Sequence, residues 1–389
     1  MDETTRLIRD ATRRPASGRR TVNPAIERGT TLLNARAKDL RDPASGPVYG
    51  IEGSGGHAAL EAALADLEGA ERAFVVGTGL LAVTVPLLAV LKPGDEVLAT
   101  DACYWPSRRF MERTLTRLGA SVRYHPAEAT TDEIIDGLGP ATRLLLMESP
   151  GTATFELQDV PALAAACRGR GVVSLVDNTW AAGRWFKPLA HGADISVQAL
   201  SKHVGGHSDV FGGSIAARDP ALIRRLHETI EDLGLYVSPD DVFLLLRGLR
   251  TMAVRMDAQQ AAAQRVAEWL MTQPQVSRVL WPALESFPQH ALWRRDFTGA
   301  SGLMGVVMRP GPDAAAEAML DALELFGLGF SWGGYESLAT FESPQVRLRQ
   351  SPPQLEGPLI RLQIGLEHTD DLIADLSAGL AAFEAVDPY

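Results

Sequence analysis

The chain reads as an α/β protein: a mostly parallel central sheet with helices on both faces, plus a smaller C-terminal α/β part. Three observations predict this. Short aliphatic runs alternate with helical stretches between about residues 57 and 245, the pattern of a parallel sheet covered on both sides. Small, polar and ionisable residues recur just after those runs. Beyond residue 245 a long helical stretch gives way to a looser mixed pattern. At 389 residues the chain is also too long for one ordinary core.

The elements follow in order. Residues 1–56 read as an N-terminal arm, with Arg6, Arg9, Arg13, Arg14, Arg19 and Arg20 in a stretch of little apolar periodicity. Such an arm is either solvated or docks on a neighbouring subunit. Residues 57–68 have helical spacing, with Gly69 as a stop signal. Residues 73–76, 96–99, 143–147, 172–176 and 195–197 read as buried strands, and 107–118 and 160–167 as helices between them. A long helix is expected over 249–271, with Pro274 beyond it. Segments 302–307, 331–336 and 359–364 belong to the smaller part. The division expected is therefore 1–56, 57–245 and 246–389.

Composition narrows the function. Apolar residues make up 46% and charged residues 22%, ordinary globular values that exclude disorder. There are 37 basic against 48 acidic residues, a net charge of −11, which argues against nucleic acid or an anionic membrane as partner. No apolar run approaches the ~18 residues of a membrane span; the longest, 79–91, is interrupted by Thr84 and Pro86. The first residues are charged and polar, so no secretory leader is expected. Cys103 and Cys167 are the only cysteines, too few for a disulfide framework or a thiolate metal site. His203 and His207 have no acidic or cysteine partners at ligand spacing. The expectation is a soluble cytoplasmic protein that holds no metal.

In a parallel sheet, ligands bind beyond the carboxyl ends of the strands. The residues there are Gly77-Thr78-Gly79, Asp101 to Tyr104, Glu148-Ser149-Pro150, Asp177-Asn178-Thr179 and Ser201-Lys202-His203. By itself Lys202 is either a surface lysine or a desolvated amine able to form a Schiff base. Asp177 either caps a helix or serves a pyridine nitrogen. Gly77-Thr78-Gly79 before a helix offers backbone N–H groups to a phosphate, although two glycines alone say little.

Longer stretches decide between these readings. They are Glu148-Ser149-Pro150-Gly151, Val176-Asp177-Asn178-Thr179-Trp180-Ala181-Ala182-Gly183, Ser201 through Asp209, Ser331-Trp332-Gly333-Gly334-Tyr335-Glu336-Ser337, and Ile360 through Glu367. In this order they resemble the Cys/Met metabolism group of fold-type-I pyridoxal phosphate enzymes, and within it the cystathionine β-lyases. The resemblance runs from about residue 22 to 376.

It implies pyridoxal 5'-phosphate as cofactor and a small amino acid as substrate, with homotetrameric assembly from two active dimers. By resemblance, Lys202 would hold the cofactor, Asp177 would pair with its pyridine nitrogen, and Tyr104 would stack on its ring near the substrate amine. Gly79, Leu80 and Ser201 would cradle its phosphate. Arg361 would bind the substrate α-carboxylate through a two-pronged contact, with Ser331 and Trp332 lining the same pocket. Tyr49 would reach the neighbouring subunit's cofactor phosphate.

The implied reaction is β-elimination of L-cystathionine to homocysteine, pyruvate and ammonia. Tyr104-Trp105-Pro106-Ser107 and the tryptophan after Ser331 resemble the β-lyase pattern. γ-Elimination or γ-replacement, or another amino acid, is the alternative; a non-catalytic scaffold or regulatory protein is a remote one. One departure stands out. The group has Tyr-Gly-Arg near the end of the arm, whereas this chain has Tyr49-Gly50-Ile51. The phosphate-binding arginine is missing, with Arg28 and Arg36 as candidate substitutes. Glu231-Asp232-Leu233-Gly234 is also more polar than its counterpart in the group.

Overall fold

Aliphatic runs with side chains on both sides can be buried only between two helical layers, and the chain builds that arrangement. The structure, a computed structural model, describes residues 2–9, 21–41 and 46–387. Arg13, Arg14, Arg19 and Arg20 lie outside the described residues. The first part comprises α1 (Glu3–Arg9), α2 (Gly55–Glu68), β1 (Arg72–Val76), α3 (Gly79–Val90), β2 (Glu96–Thr100), α4 (Trp105–Phe110), β3 (Ser121–His125), α5 (Thr131–Gly137), β4 (Thr142–Glu148), α6 (Val160–Arg170), β5 (Val173–Asp177), β6 (Ile195–Ala199), β7 (Gly213–Ala217) and α7 (Pro220–Asp232). Then α8 (Pro239–Leu270) leads into β8 (Val276–Leu280), α9 (His290–Asp296), β9 (Leu303–Met308), α10 (Asp313–Asp321), β10 (Gly327–Leu328), β11 (Leu338–Phe341), α11 (Ser343–Val346), β12 (Leu359–Gln363) and α12 (Thr369–Val386).

The seven-stranded sheet has the order β1-β7-β6-β5-β4-β2-β3. Its only antiparallel strand is β7, which pairs with both β1 and β6. Alternation along β4 shows how the layers form. Leu144 and Leu146 enter the core under α3, while Leu145 and Met147 enter the core on the other face with Leu60, Leu163 and Cys167. Successive strand side chains point to opposite faces, so one run of aliphatics serves both cores. A second sheet of order β10-β11-β12-β9-β8 is mostly antiparallel.

Several elements differ from the sequence expectation. β3 and β7 were not foreseen. β7 reads Gly-Ser-Ile-Ala-Ala, small residues that carry little strand signal yet are fully buried. β3 lies at the sheet edge, and its polar alternation hides it among surface residues. The helix expected over 107–118 is α4 continued by a wide turn, Met111–Leu115, and a tight one, Thr116–Leu118. The expected long helix begins ten residues early, at Pro239 behind the cap Ser238, and so crosses the expected division at 245/246.

The opening helix docks on its own chain. Leu7 is buried, Lys187 Nζ lies 2.7 Å from Glu3 Oε2, and Arg6 Nε donates to Asp66 Oδ2 at 2.8 Å.

α8 matters most for the site. A methyl group on Gly248 would lie 2.2 Å from Val204 O and 2.3 Å from Gly205 O, so glycine lets this helix press on the loop after β6. Arg255, buried on the same helix, donates to His203 O at 2.8 Å and to Gly248 O at 2.9 Å. The loop that carries Lys202 is held from behind. None of the described helices is long and apolar enough to cross a membrane.

Candidate active site

A cavity of about 360 Å3 opens beyond the carboxyl ends of the parallel strands. Gly79 and Leu80 line it from the start of α3, Tyr104 from the turn after β2, and Glu148 and Asp177 from the ends of β4 and β5. Ser201 and Lys202 enter from the loop after β6, and Trp332 and Arg361 from the second sheet's side. Ser331 completes the group through its hydroxyl, which accepts from Lys202 Nζ at 3.1 Å. Nine of the ten expected site residues thus meet. Tyr49 does not. It lines a separate cavity of about 240 Å3 with Ile51, His57, Glu61 and Arg72.

Each group is held by its surroundings. Asp177 is buried to the point that its carboxyl titrates above the usual range, desolvation outweighing its hydrogen bonds. Those bonds come from Thr179 N at 3.0 Å and Thr179 Oγ1 at 2.5 Å. The same hydroxyl accepts from Ala199 N at 2.9 Å, so it sits between β5 and β6 and fixes the aspartate's orientation.

Lys202 is pushed down to about 8, first by burial and then by the Arg361 cation, with Asp177 opposing. A lysine in that range is a usable base near neutrality. Ser331 adopts a φ of +129°, a conformation few residues other than glycine take, and this turn places its hydroxyl on the lysine. The Trp332 ring centre lies 5.7 Å from Lys202 Nζ. Arg361 Nη1 lies 3.3 Å from Glu342 Oε1, and Glu342, almost fully buried, accepts from Thr340 Oγ1 at 2.7 Å. The guanidinium is therefore oriented from one side only.

A family model described as Cys/Met metabolism PLP-dependent enzyme matches residues 4–381. The chain belongs to the Cys/Met metabolism family of PLP-dependent enzymes. It is 43% identical over 372 residues to a putative cystathionine beta-lyase of Rhizobium johnstonii, covering 94% of this chain and 92% of that one. To the cystathionine beta-lyase MetC of Escherichia coli it is 40% identical over 371 residues, covering 92% and 93%. The crystal structure of metB from Corynebacterium glutamicum superposes with a TM-score of 0.91 at 30% identity, covering 98% of each chain.

The residues present fit the family's cofactor. A methyl group on Gly79 would lie 2.4 Å from Ala199 Cβ and 2.8 Å from its Cα, so glycine keeps the α3 N-terminus close against β6. That twelve-residue helix, capped by Thr78 Oγ1 on Leu81 N at 3.1 Å, turns its first unpaired N–H groups toward the cavity, where a phosphate is favoured. A buried carboxylate, a desolvated amine and an aromatic ring complete the donor set that pyridoxal phosphate requires.

Four lining residues carry roles that the sequence alone did not assign. Thr179 directs Asp177. Glu148 accepts from Tyr104 N at 2.7 Å. Phe155 gives the cavity an apolar wall. Arg109 lines the mouth and has no ion pair or hydrogen bond among the described residues. For Thr179 and Glu148 the signal was present, since both sit in the quoted stretches at strand ends. The two candidate substitutes for the missing arginine are both engaged: Arg28 with Asp240, and Arg36 with Asp39 at 3.0 Å.

Proposed function

We propose that this chain is a PLP-dependent carbon–sulfur lyase that cleaves L-cystathionine by β-elimination to homocysteine, pyruvate and ammonia. The observation that carries it is the convergence of Lys202, Asp177 and Arg361 on one cavity, with Ser331 and Trp332 at the lysine. Bound pyridoxal phosphate supplies an electron sink for the pair left on Cα when its proton is removed. Asp177 holds the proton at the pyridine nitrogen on which that sink depends. Arg361 takes the substrate α-carboxylate, and Tyr104 covers the opening beside the substrate amine.

Lys202 Nζ removes the Cα proton and delivers it to the departing sulfur. The Cα–H and Cβ–S bonds break, a thiol leaves, and the three-carbon enamine is hydrolysed to pyruvate and ammonia. Ser331 Oγ accepts from the amine at 3.1 Å and so orients it. Arg109 offers a cation to the distal carboxylate of cystathionine. Three relatives at 40–43% identity bear the name cystathionine beta-lyase, one of them as putative, which favours this substrate over others.

The arm and the exposed apolar residues support assembly as a homotetramer of two active dimers. Phe211 at the cavity mouth and Phe330 beside Ser331 are 73% and 81% exposed, and a second copy would cover them. Tyr49 then serves the neighbour's cofactor phosphate. Both cysteines are free and buried, in keeping with a reducing cytoplasm.

The test is a substrate panel. Cofactor-loaded protein is expected to release pyruvate and homocysteine from L-cystathionine. Release of 2-oxobutyrate instead would establish γ-elimination and overturn the reading.

A further inference from the structure

We propose that Glu148 is a positioning residue for the reaction, fixing Tyr104 over the cavity by a staple between two loops. The proposal rests on the reading of this cavity as the reaction site. Tyr104 is half exposed, and its phenol makes no hydrogen bond among the described residues, so the ring is placed by its backbone. That backbone has one side-chain anchor: Tyr104 N donates to Glu148 Oε2 at 2.7 Å. The other oxygen of Glu148 accepts from Thr152 Oγ1.

Thr152 is fixed in turn. Its N–H donates to Ala102 O at 2.8 Å, and its carbonyl accepts from the buried Arg349 Nη2 at 2.6 Å. A methyl group on Gly151 would lie 2.7 Å from Ala102 Cβ, so the loops at 101–104 and 149–152 are already in contact. Beside the Thr152–Ala102 backbone bond, Glu148 is the side-chain link across that contact. It is also the register partner of Asp177 at the strand ends, and burial followed by the Asp177 charge pushes its carboxyl up to about 8. Two buried acids side by side are costly. In this site the second of them holds the tyrosine.

Side-chain length is the discriminating variable. In Glu148→Gln the amide oxygen still accepts from Tyr104 N–H, and the amide nitrogen donates to Thr152 Oγ1. Glu148→Asp keeps the carboxyl but is too short to reach both donors. Glu148→Ala loses both contacts. Misplacing a group at the reacting centre by ~1 Å costs up to about 100-fold. The expected result is a kcat lowered about 30-fold in the Ala and Asp variants with KM changed less than about threefold, and Gln within about threefold of wild type.

A double-mutant cycle shows whether the effect passes through Tyr104. Tyr104→Ala/Glu148→Ala is expected to match Tyr104→Ala alone. A full additive penalty, an Asp variant faster than Gln, or an Ala variant equal to wild type would each overturn the proposal. Visible circular dichroism of bound pyridoxal phosphate gives the second readout. Glu148→Ala, Glu148→Asp and Tyr104→Ala are expected to depart from wild type while Gln does not, and the opposite order refutes the staple. Should Glu148→Ala fail to fold, the Gln and Asp variants decide alone. Should the wild type release no pyruvate, the reaction reading fails, and the dichroism order still decides the role of Glu148.

Discussion

The cavity around Lys202 and the one around Tyr49 contain similar residue types and differ in how those residues are held. The one around Tyr49 and Ile51 has two histidines, acids and an arginine, and its charges are largely satisfied among themselves. Arg72 pairs with Glu61 at 2.9 Å, and His227 faces Glu231 at 3.5 Å. The one around Lys202 keeps a buried lysine and two buried acids facing open space, each orientated by a donor or acceptor behind it. Buried charge without a partner of its own is costly to fold. Its presence beyond the sheet's carboxyl edge therefore points to chemistry, where a cluster of ionisable residues alone does not.

Four changes break or sharpen that contrast. The largest effect is expected from Lys202→Ala, which removes the base. Turnover should fall by at least ~10^3-fold, measured as pyruvate release, while the thermal midpoint holds or rises because a desolvated amine is lost. A matching change at the other cavity, Arg72→Ala, should leave kcat within about twofold.

Arg361→Ala comes second. A hydrogen bond to a charged group contributes ~1.5–3 kcal/mol, so KM should rise about 10- to 100-fold. Arg361→Lys should recover only part of this, since it lacks the two-pronged geometry.

Third is Ile51→Arg, which restores the cation absent from the arm. Equilibrium dialysis should show pyridoxal phosphate held about tenfold more tightly. No change would mean that the arm does not serve a cofactor site.

The smallest effect is the pH response of the cofactor-free chain. Glu148, raised to about 8 from its ordinary 4.5, keeps a proton in the folded state that the unfolded chain has lost between those values. Its contribution to stability therefore falls as pH rises through that window. Lys202, lowered to about 8 from 10.5, acts in the opposite sense between pH 8 and 10.5, where the unfolded chain holds the extra proton and stability rises with pH. Glu148→Gln should accordingly gain thermal midpoint over wild type progressively from pH 5 to pH 8. A constant difference across that range would contradict the buried-acid assignment.

Much of this was legible in the sequence, for identifiable reasons. Strands such as β4 and β5 announce themselves because burial on both faces demands unbroken aliphatics. β7 does not, because close packing beside α3 selects small residues; a methyl group on Gly213 would lie 2.3 Å from Thr78 O. Lys202, Asp177 and Arg361 stood out through the stretches around them.

The supporting roles of Thr179 and Glu148 depend on which strand lies next to which. Order β6-β5-β4-β2 brings Thr179 to Ala199 and Glu148 to Tyr104, and local spacing does not encode that order. Arg109 carries no motif of its own, and only its place in the cavity lining marks it. Tyr49 is the opposite case. It was picked out by its motif, and within a single chain it has no place at the Lys202 cavity.

The central claim is that Lys202 is the residue that carries the cofactor. Loading the protein with pyridoxal phosphate, reducing it with borohydride and mapping the peptides by mass tests this directly. A single pyridoxyl group on the peptide containing Lys202, absent from Lys202→Ala, is the predicted result. Label on Lys187, Lys92 or Lys38 instead, or no label on a protein that binds the cofactor, would contradict it.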